Sequence, residues 1–228
     1  MFSKLLRRSE TMKRLRPVLW RALCVTALAG VAAAAAGCAS SVLPATLAVN
    51  AGAQQDLRRY DDDWFDAARV GRVDILQGLV AAGYPIDATT REGYTALILA
   101  AYRHQGAALD YLLHAGANPC IGDQHGNTAL MGVIFKGDTA LSERLMKTRC
   151  PIDETNNAGE TALSFVALFG RADLVPPLIA RGANPEHVDA LGRTALQVAV
   201  QEGNASTIAA LEKAGAQRVV DATLYKQP

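Results

Sequence analysis

The sequence predicts an all-α fold, a solenoid of five stacked helix-turn-helix units, and three regularities predict it. Thr-Ala-Leu occurs at 95–97, 128–130, 161–163 and 194–196, each step being 33 residues. A leucine recurs at the same interval, at Leu79, Leu112, Leu145, Leu178 and Leu211. Glycines keep the interval too: Gly93, Gly126, Gly159 and Gly192 stand two residues before each Thr, and Gly83, Gly116, Gly182 and Gly215 follow the leucines, with Arg149 in the missing slot. A unit of this size cannot bury its apolar face alone, so units stack and share a core. Half of the residues are apolar but only 6% are aromatic, and alanine is abundant, which suits closely packed helices better than a sandwich or barrel of strands.

Each unit divides by the same physics. Gly126 and its equivalents permit a tight turn with positive φ. Thr128 and its equivalents then sit where a hydroxyl can cap the orphan amides of a starting helix. The first helix is short and small-sided, as at Ala100-Ala101 and Val166-Ala167, so the next unit can approach. A turn glycine follows at Gly71, Gly137, Gly170 or Gly203, and His104 holds that slot in its own unit. The second helix carries apolar residues at helical spacing, such as Leu141, Leu145 and Met146, and stops at the glycine of the Gly116 series. In the first unit Tyr60-Asp61-Asp62-Asp63 replaces the turn signature, and the acids are expected just before a helix starting near Trp64, where its dipole favours them. In the last unit Glu212 takes the slot of Val80, Leu113, Met146 and Ile179, fitting a face that no further unit covers. Pro176-Pro177 removes two amide donors from a second helix, so a kink or a late start is expected there.

Gly-x-Thr-x-Leu, then Ala-Ala, then Gly, then Leu-Leu-x-x-Gly-Ala-Asn resembles the ankyrin repeat. Leu112-Leu113 through Gly116-Ala117-Asn118 matches it almost letter for letter, as does Gly182-Ala183-Asn184. The resemblance covers residues 57–221 and implies five repeats joined by short β-hairpin turns. Ala96, Ala129, Ala162 and Ala195 replace the family's usual Pro, and Ile98, Met131, Ser164 and Gln197 its usual His. The family's binding face is concave, made of turn tips and first helices. Carried over, the tips are Arg91, Glu92 and Tyr94; Gln124, His125 and Asn127; Asn157, Ala158 and Glu160; Ala190, Leu191 and Arg193. The helix positions are Arg69 and Val70; Tyr102 and Arg103; Phe135 and Lys136; Leu168 and Phe169; Gln201 and Glu202. The candidate partner-binding set is Tyr94, Tyr102, Arg103, Phe135, Lys136, Leu168, Phe169, Leu191 and Arg193, because aromatic residues beside Arg are the composition of interface hot spots. The rings either face a partner or fold down between adjacent units.

The N-terminus carries a different signal. Residues 1–21 hold seven basic side chains against the single acid Glu10, and an uncharged, mostly apolar run follows from Ala22 to Gly37. That run is shorter than the ~20 apolar residues of a spanning helix and has the layout of a secretory signal, residues 1–37; translation could start at Met1 or Met12. Ala35-Ala36-Gly37-Cys38 resembles the lipobox of bacterial lipoproteins, which implies lipidation at Cys38, although Ala35 stands where that family prefers Leu, and ordinary cleavage after Ala39 is open. Ala39 and Ser40 after the cysteine then point to the outer membrane, facing the periplasm. Residues 38–56 read as a flexible tether and 222–228 as a C-terminal tail.

Loss of residues 1–37 takes the formal charge from +1 to about −5, a poor basis for nucleic-acid binding. No metal site, cofactor or enzyme activity is expected. His104, His114, His125 and His187 stand at no ligand or triad spacing, Ser164 and Ser206 have no base at an evident spacing, and no phosphate-cradling loop occurs. Cys120 and Cys150 could be bonded between adjacent units or remain two part-buried thiols. The expected function is a protein-interaction module of the bacterial envelope that binds a periplasmic protein on its concave face. Bacterial relatives suggest two roles, support of an enzyme such as catalase or immunity to a secreted effector. A structural scaffold acting by self-association is the alternative.

Overall fold

The computed structural model describes residues 57–217. The expected signal segment 1–37, Cys38, the tether 38–56 and the chain from 218 onward, including the tail 222–228, lie outside these residues. A 3₁₀ turn at Arg58–Tyr60 leads into α1 (Asp61–Val70), which pairs with α2 (Val73–Ala81). The following units pair α3 (Ala96–Tyr102) with α4 (Gly106–His114), α5 (Ala129–Lys136) with α6 (Thr139–Met146), α7 (Ala162–Phe169) with α8 (Val175–Ala180), and α9 (Ala195–Gln201) with α10 (Ala205–Lys213). The odd-numbered helices stack in one row, each against the next, and the even-numbered helices lie behind them.

Side-chain size sets this spacing. Ala68, Ala100, Ala101, Ala167 and Ala199 are fully buried on the stacked row, where small residues let helices approach. Behind them the recurring leucines fill the space between the two layers, and none is more than 3% exposed. Each inner helix after the first starts on its Thr. Thr95 Oγ1 accepts from Ile98 N–H at 3.2 Å, Thr161 from Ser164 N–H at 3.3 Å and Thr194 from Gln197 N–H at 3.3 Å, with a longer 3.5 Å bond from Met131 N–H to Thr128. Ser164 and Gln197 return the bond to the Thr161 and Thr194 N–H, completing capping boxes. These two departures from the family pattern thus take up a capping role, whereas Ile98 and Met131 are buried as core.

Two expectations are adjusted and two open alternatives are decided. The first helix begins at Asp61, not near Trp64, so the three acids form its first turn and still meet the dipole. Trp64 is completely buried, its ring 4.8 Å from that of Tyr84, whose hydroxyl donates to Asp61 at 2.6 Å and secures the helix start. The prolines give a late start, not a kink: a 3₁₀ turn covers Ala172–Leu174 and α8 begins at Val175. Pro176 and Pro177 thereby occupy a first turn, where an N–H has no intrahelical acceptor anyway. The hairpins shrink to isolated bridges, Thr89 with Thr95 and Val188 with Thr194, and no strand forms among the described residues. Finally, Cys120 and Cys150 are disulfide-bonded, with Cα atoms 5.3 Å apart.

Leu145 fixes both layers of its unit. Leu145→Ala is expected to cost ~2–5 kcal/mol, while Lys147→Ala at an exposed position stays within about 0.5 kcal/mol; chemical denaturation of the two variants measures both.

Candidate partner-binding face

The concave face is built from the tips inward. At each tip one side chain accepts two backbone bonds and closes the turn. Asp123 Oδ1 takes the N–H groups of His125 and Asn127 at 2.9 and 3.0 Å. Asn156 Oδ1 takes those of Ala158 and Glu160, Asp189 Oδ1 those of Leu191 and Arg193, and Thr90 Oγ1, less tightly, those of Glu92 and Tyr94. Thr90, Asp123, Asn156 and Asp189 share the 33-residue period, a signal present in the sequence that the Thr-Ala-Leu motif overshadowed. These short polar side chains nucleate turns by this mechanism.

The tips are then joined to one another. Gln124 N–H donates to Glu92 O at 3.0 Å, Asn157 N–H to His125 O at 2.9 Å, and Ala190 N–H to Ala158 O at 2.9 Å. This close approach explains the tip glycines more fully than φ does. A Cβ at Gly93 would lie 2.7 Å from Gln124 N, and one at Gly159 2.9 Å from Ala190 N, whereas Gly192, beyond which no tip follows among the described residues, has open space.

Behind the tips runs a line of rings. Tyr94 meets Tyr102 with centroids 6.2 Å apart, Tyr102 meets Phe135 at 6.3 Å, Phe135 meets Phe169 at 5.0 Å, and Phe169 meets the buried Phe165 at 5.8 Å. Three of these contacts are edge-to-face, a favoured arrangement for aromatic quadrupoles, and the last is tilted. Gly132 makes the middle of the line possible: it is buried inside α5, and a Cβ there would lie 3.0 Å from the Tyr102 ring. Burial pushes the Tyr102 phenol above its ordinary pKa, with the nearby Asp123 acting in the same direction.

The candidate residues therefore fall into two groups. Tyr94, Tyr102, Leu168, Phe169 and Arg193 are half-buried, so the rings among them both pack between units and keep part of their surface on the face. They are partly covered because the line packs edge-on between units. Phe135 at 44% and Leu191 at 74% exposure stand out from the face, with Arg103 and Lys136 exposed beside them. Lys136 Nζ lies 6.0 Å from the centroid of the Phe135 ring, and Arg103 has no carboxylate partner among the described residues. Arg193 is different. It binds Asp189 through Nε and Nη2 at 2.8 and 2.7 Å and reaches Gln201 at 3.3 Å, so it holds its tip in shape. Burial alone would raise the Asp189 carboxyl, but hydrogen bonds from Arg193 and from the Leu191 N–H outweigh it and hold the group below its usual pKa.

A second periodic set escaped sequence reasoning. Gln105, Asp138, Arg171 and Asn204 lie 33 apart and reach back to the end of the preceding inner helix. Arg171 donates to the Ile134 and Phe135 carbonyls at 3.3 Å each, and Asn204 Nδ2 to Ala167 O at 2.9 Å. Asp138 meets His104 Nδ1 at 2.8 Å and takes the Leu141 N–H at 3.0 Å, so its carboxyl titrates below its usual range despite partial burial. His104 has φ +57°, the left-handed conformation that glycine adopts in its sister units. No group of three or more His, Cys, Asp or Glu able to hold a metal occurs among the described residues.

A family model of ankyrin repeats (3 copies) matches residues 64–139 and 130–220. The chain belongs to the ankyrin-repeat family. Similar proteins include the mitochondrial disaggregase of Bos taurus, 31% identical over 59% of this chain and 20% of that protein. Human neurogenic locus notch homolog protein 2 is 31% identical over 77% of this chain and 7% of its own length. The putative ankyrin repeat protein YahD of Escherichia coli strain K12 is 26% identical over 68% of this chain and 96% of its own. The chain thus spans a small part of the first two. Ankyrin repeats are generally protein-interaction modules that present extended concave surfaces.

Two outcomes test this geometry. Gly126→Ala combines a positive φ of 78° with a Cβ 2.8 Å from the Asn157 backbone nitrogen, so a loss of more than ~1 kcal/mol in denaturation is expected. Asp189 is depressed in the folded state, so the unfolded chain binds more protons in the acid range. Its contribution is complete above the unfolded pKa of ~3.9 and is lost as pH falls through the folded value. Asp189→Asn should flatten the acid limb of a stability–pH profile.

Proposed function

We propose that this chain is an exported ankyrin-repeat adaptor that binds a protein partner across repeats two to four of its concave face. The carrying observation is the line of rings from Tyr94 to Phe169, continuous across three units, with Phe135 exposed within it and Leu191 exposed on a neighbouring tip. Exposed large apolar groups on a rigid face call for a covering partner, and rings beside Arg103 and Lys136 have the composition of binding hot spots. Arg103 and Lys136 would meet carboxylates of the partner, while Tyr94, Tyr102, Leu168 and Phe169 would supply the apolar floor and Arg193 would keep its tip in shape.

The N-terminal signal supports a periplasmic site of action, with Cys38 as the lipid anchor to the outer membrane. The Cys120–Cys150 bond supports an oxidising compartment independently, since disulfides persist there and are rare in the cytosol. Within that compartment the partner would be a resident enzyme such as a catalase, which the repeat protein supports, or an incoming effector, which it neutralises.

Partner capture from an envelope extract, compared between the wild-type chain, Phe135→Ala and Phe169→Ala, tests the face. Each substitution is expected to weaken binding at least about tenfold, with Lys147→Ala unchanged; equal capture by all four removes this face from consideration. Sedimentation of the same samples separates a heterologous partner from self-association, since a stable homo-oligomer supports the scaffold alternative.

A further inference from the structure

A side-chain-to-backbone bond clamps the rear of three junctions between units. Asp87 accepts from Asn118 N–H at 2.9 Å, Asp153 from Asn184 N–H at 3.1 Å, and Glu186 from Gln217 N–H at 2.9 Å. Acceptors and donors both recur every 33 residues. At the junction of units two and three the acceptor slot holds Cys120 and the donor slot holds Pro151, which has no N–H. Neither half of the clamp can be made there.

Two further departures fall at the same place. The residue before the donor is a buried alanine elsewhere, at Ala117, Ala183 and Ala216, and is Cys150 here. The residue before that is a glycine with φ above 90° at Gly116, Gly182 and Gly215. Here it is Arg149, and Arg149 does not take a positive φ. In the sister units the alanine N–H returns to the recurring leucine, as in Ala117 N–H to Leu112 O at 2.9 Å. At Leu145 that carbonyl is taken by Thr148, through its N–H at 3.1 Å and its hydroxyl at 2.7 Å. The altered exit accompanies the Cys150–Cys120 bond, whose 5.3 Å Cα separation lies in the usual range of ~4.4–6.8 Å.

We propose that the Cys120–Cys150 disulfide is a redox-sensitive clamp that replaces the missing hydrogen bond between units two and three. A dithiol opens it by thiol–disulfide exchange: two electrons and two protons pass to the cysteine sulfurs, the S–S bond breaks, and the reductant leaves as a cyclic disulfide. Both cysteines are only half-buried, so a small dithiol can approach. The polar side-chain contacts that remain across the junction are the exposed Asp110–Arg144 pair and the His104–Asp138 pair, each at 2.8 Å, and exposed pairs hold weakly; Leu141 and Leu145 also share a core cluster with Leu109 and Leu112. The inner helices stay packed, so reduction loosens the junction and does not part it. Tyr102 and Phe135 lie on opposite sides of this junction, which makes the middle of the aromatic line sensitive to the bond. Any consequence for partner binding rests on the function proposed above, whereas the following test uses no partner, so the two fail separately.

Hydrogen exchange read by mass spectrometry on the full chain, with and without dithiothreitol, tests the clamp. Reduction is expected to speed exchange on the order of tenfold in segments 103–116 and 138–151, with units four and five unchanged. The variant Cys120→Asp/Cys150→Ala/Pro151→Asn, which rebuilds the sister clamp, is expected to exchange at the oxidised rate and to ignore the reductant. Cys120→Ser/Cys150→Ala, which keeps Pro151, is expected to behave as the reduced wild type. Cys24 and Cys38 are present in every sample and cancel from the comparison. Unchanged exchange after thiol labelling confirms reduction, or a rise spread evenly over all units, overturns the clamp. A rebuilt variant that fails to fold, or that still responds to dithiothreitol, overturns its equivalence to the hydrogen bond.

Discussion

Everything in this molecule depends on the contact between one unit and the next. Leu112 and Leu178 are fully buried between the two layers, and a unit of this size relies on its neighbours to cover its apolar face. The alanines of the stacked row set how close that contact is. Closeness at the row brings the tips within hydrogen-bonding distance of one another, and it makes Gly93, Gly126 and Gly159 sterically necessary as well as conformationally suited. One packing distance thus governs the core, the tips and the concave face together.

The face inherits its order from that spacing. Rings of successive units fall about 5–6 Å apart, within the preferred separation for edge-to-face pairs. Gly132 is the local concession that makes it work. A glycine inside a helix costs ~1 kcal/mol relative to alanine, yet a Cβ would crowd the Tyr102 ring. The exposed Phe135 and Leu191 are then held by a scaffold that has no freedom to fold them away, the condition under which apolar surface is available to a partner with little ordering cost.

The junction of units two and three shows how a repeat protein tolerates departures from its own pattern. Arg149, Cys150, Pro151 and Cys120 each depart from the pattern kept at the other three junctions between units. Taken singly, each removes a bond or a favourable turn. Together they exchange a weak polar clamp for a covalent one, and only their proximity in space makes that exchange visible.

The sequence alone determined the solenoid, its five units and its capping threonines, because the 33-residue period repeats the same local physics and each signal reinforces the others. It also selected the face, since residues outside the core pattern must be displayed or packed between units. It could not decide between those two fates for each ring: Tyr102 and Phe169 are half-buried while Phe135 stands out, a difference set by neighbours in the adjacent units. Arg193 is a candidate by position, and the tertiary structure adds that Asp189, Glu160 and Gln201 hold it. The disulfide, likewise, rested on where two Cβ atoms point. Spacing along the chain carries local structure, but the direction and burial of a side chain come from what packs against it, and only the tertiary structure supplies that.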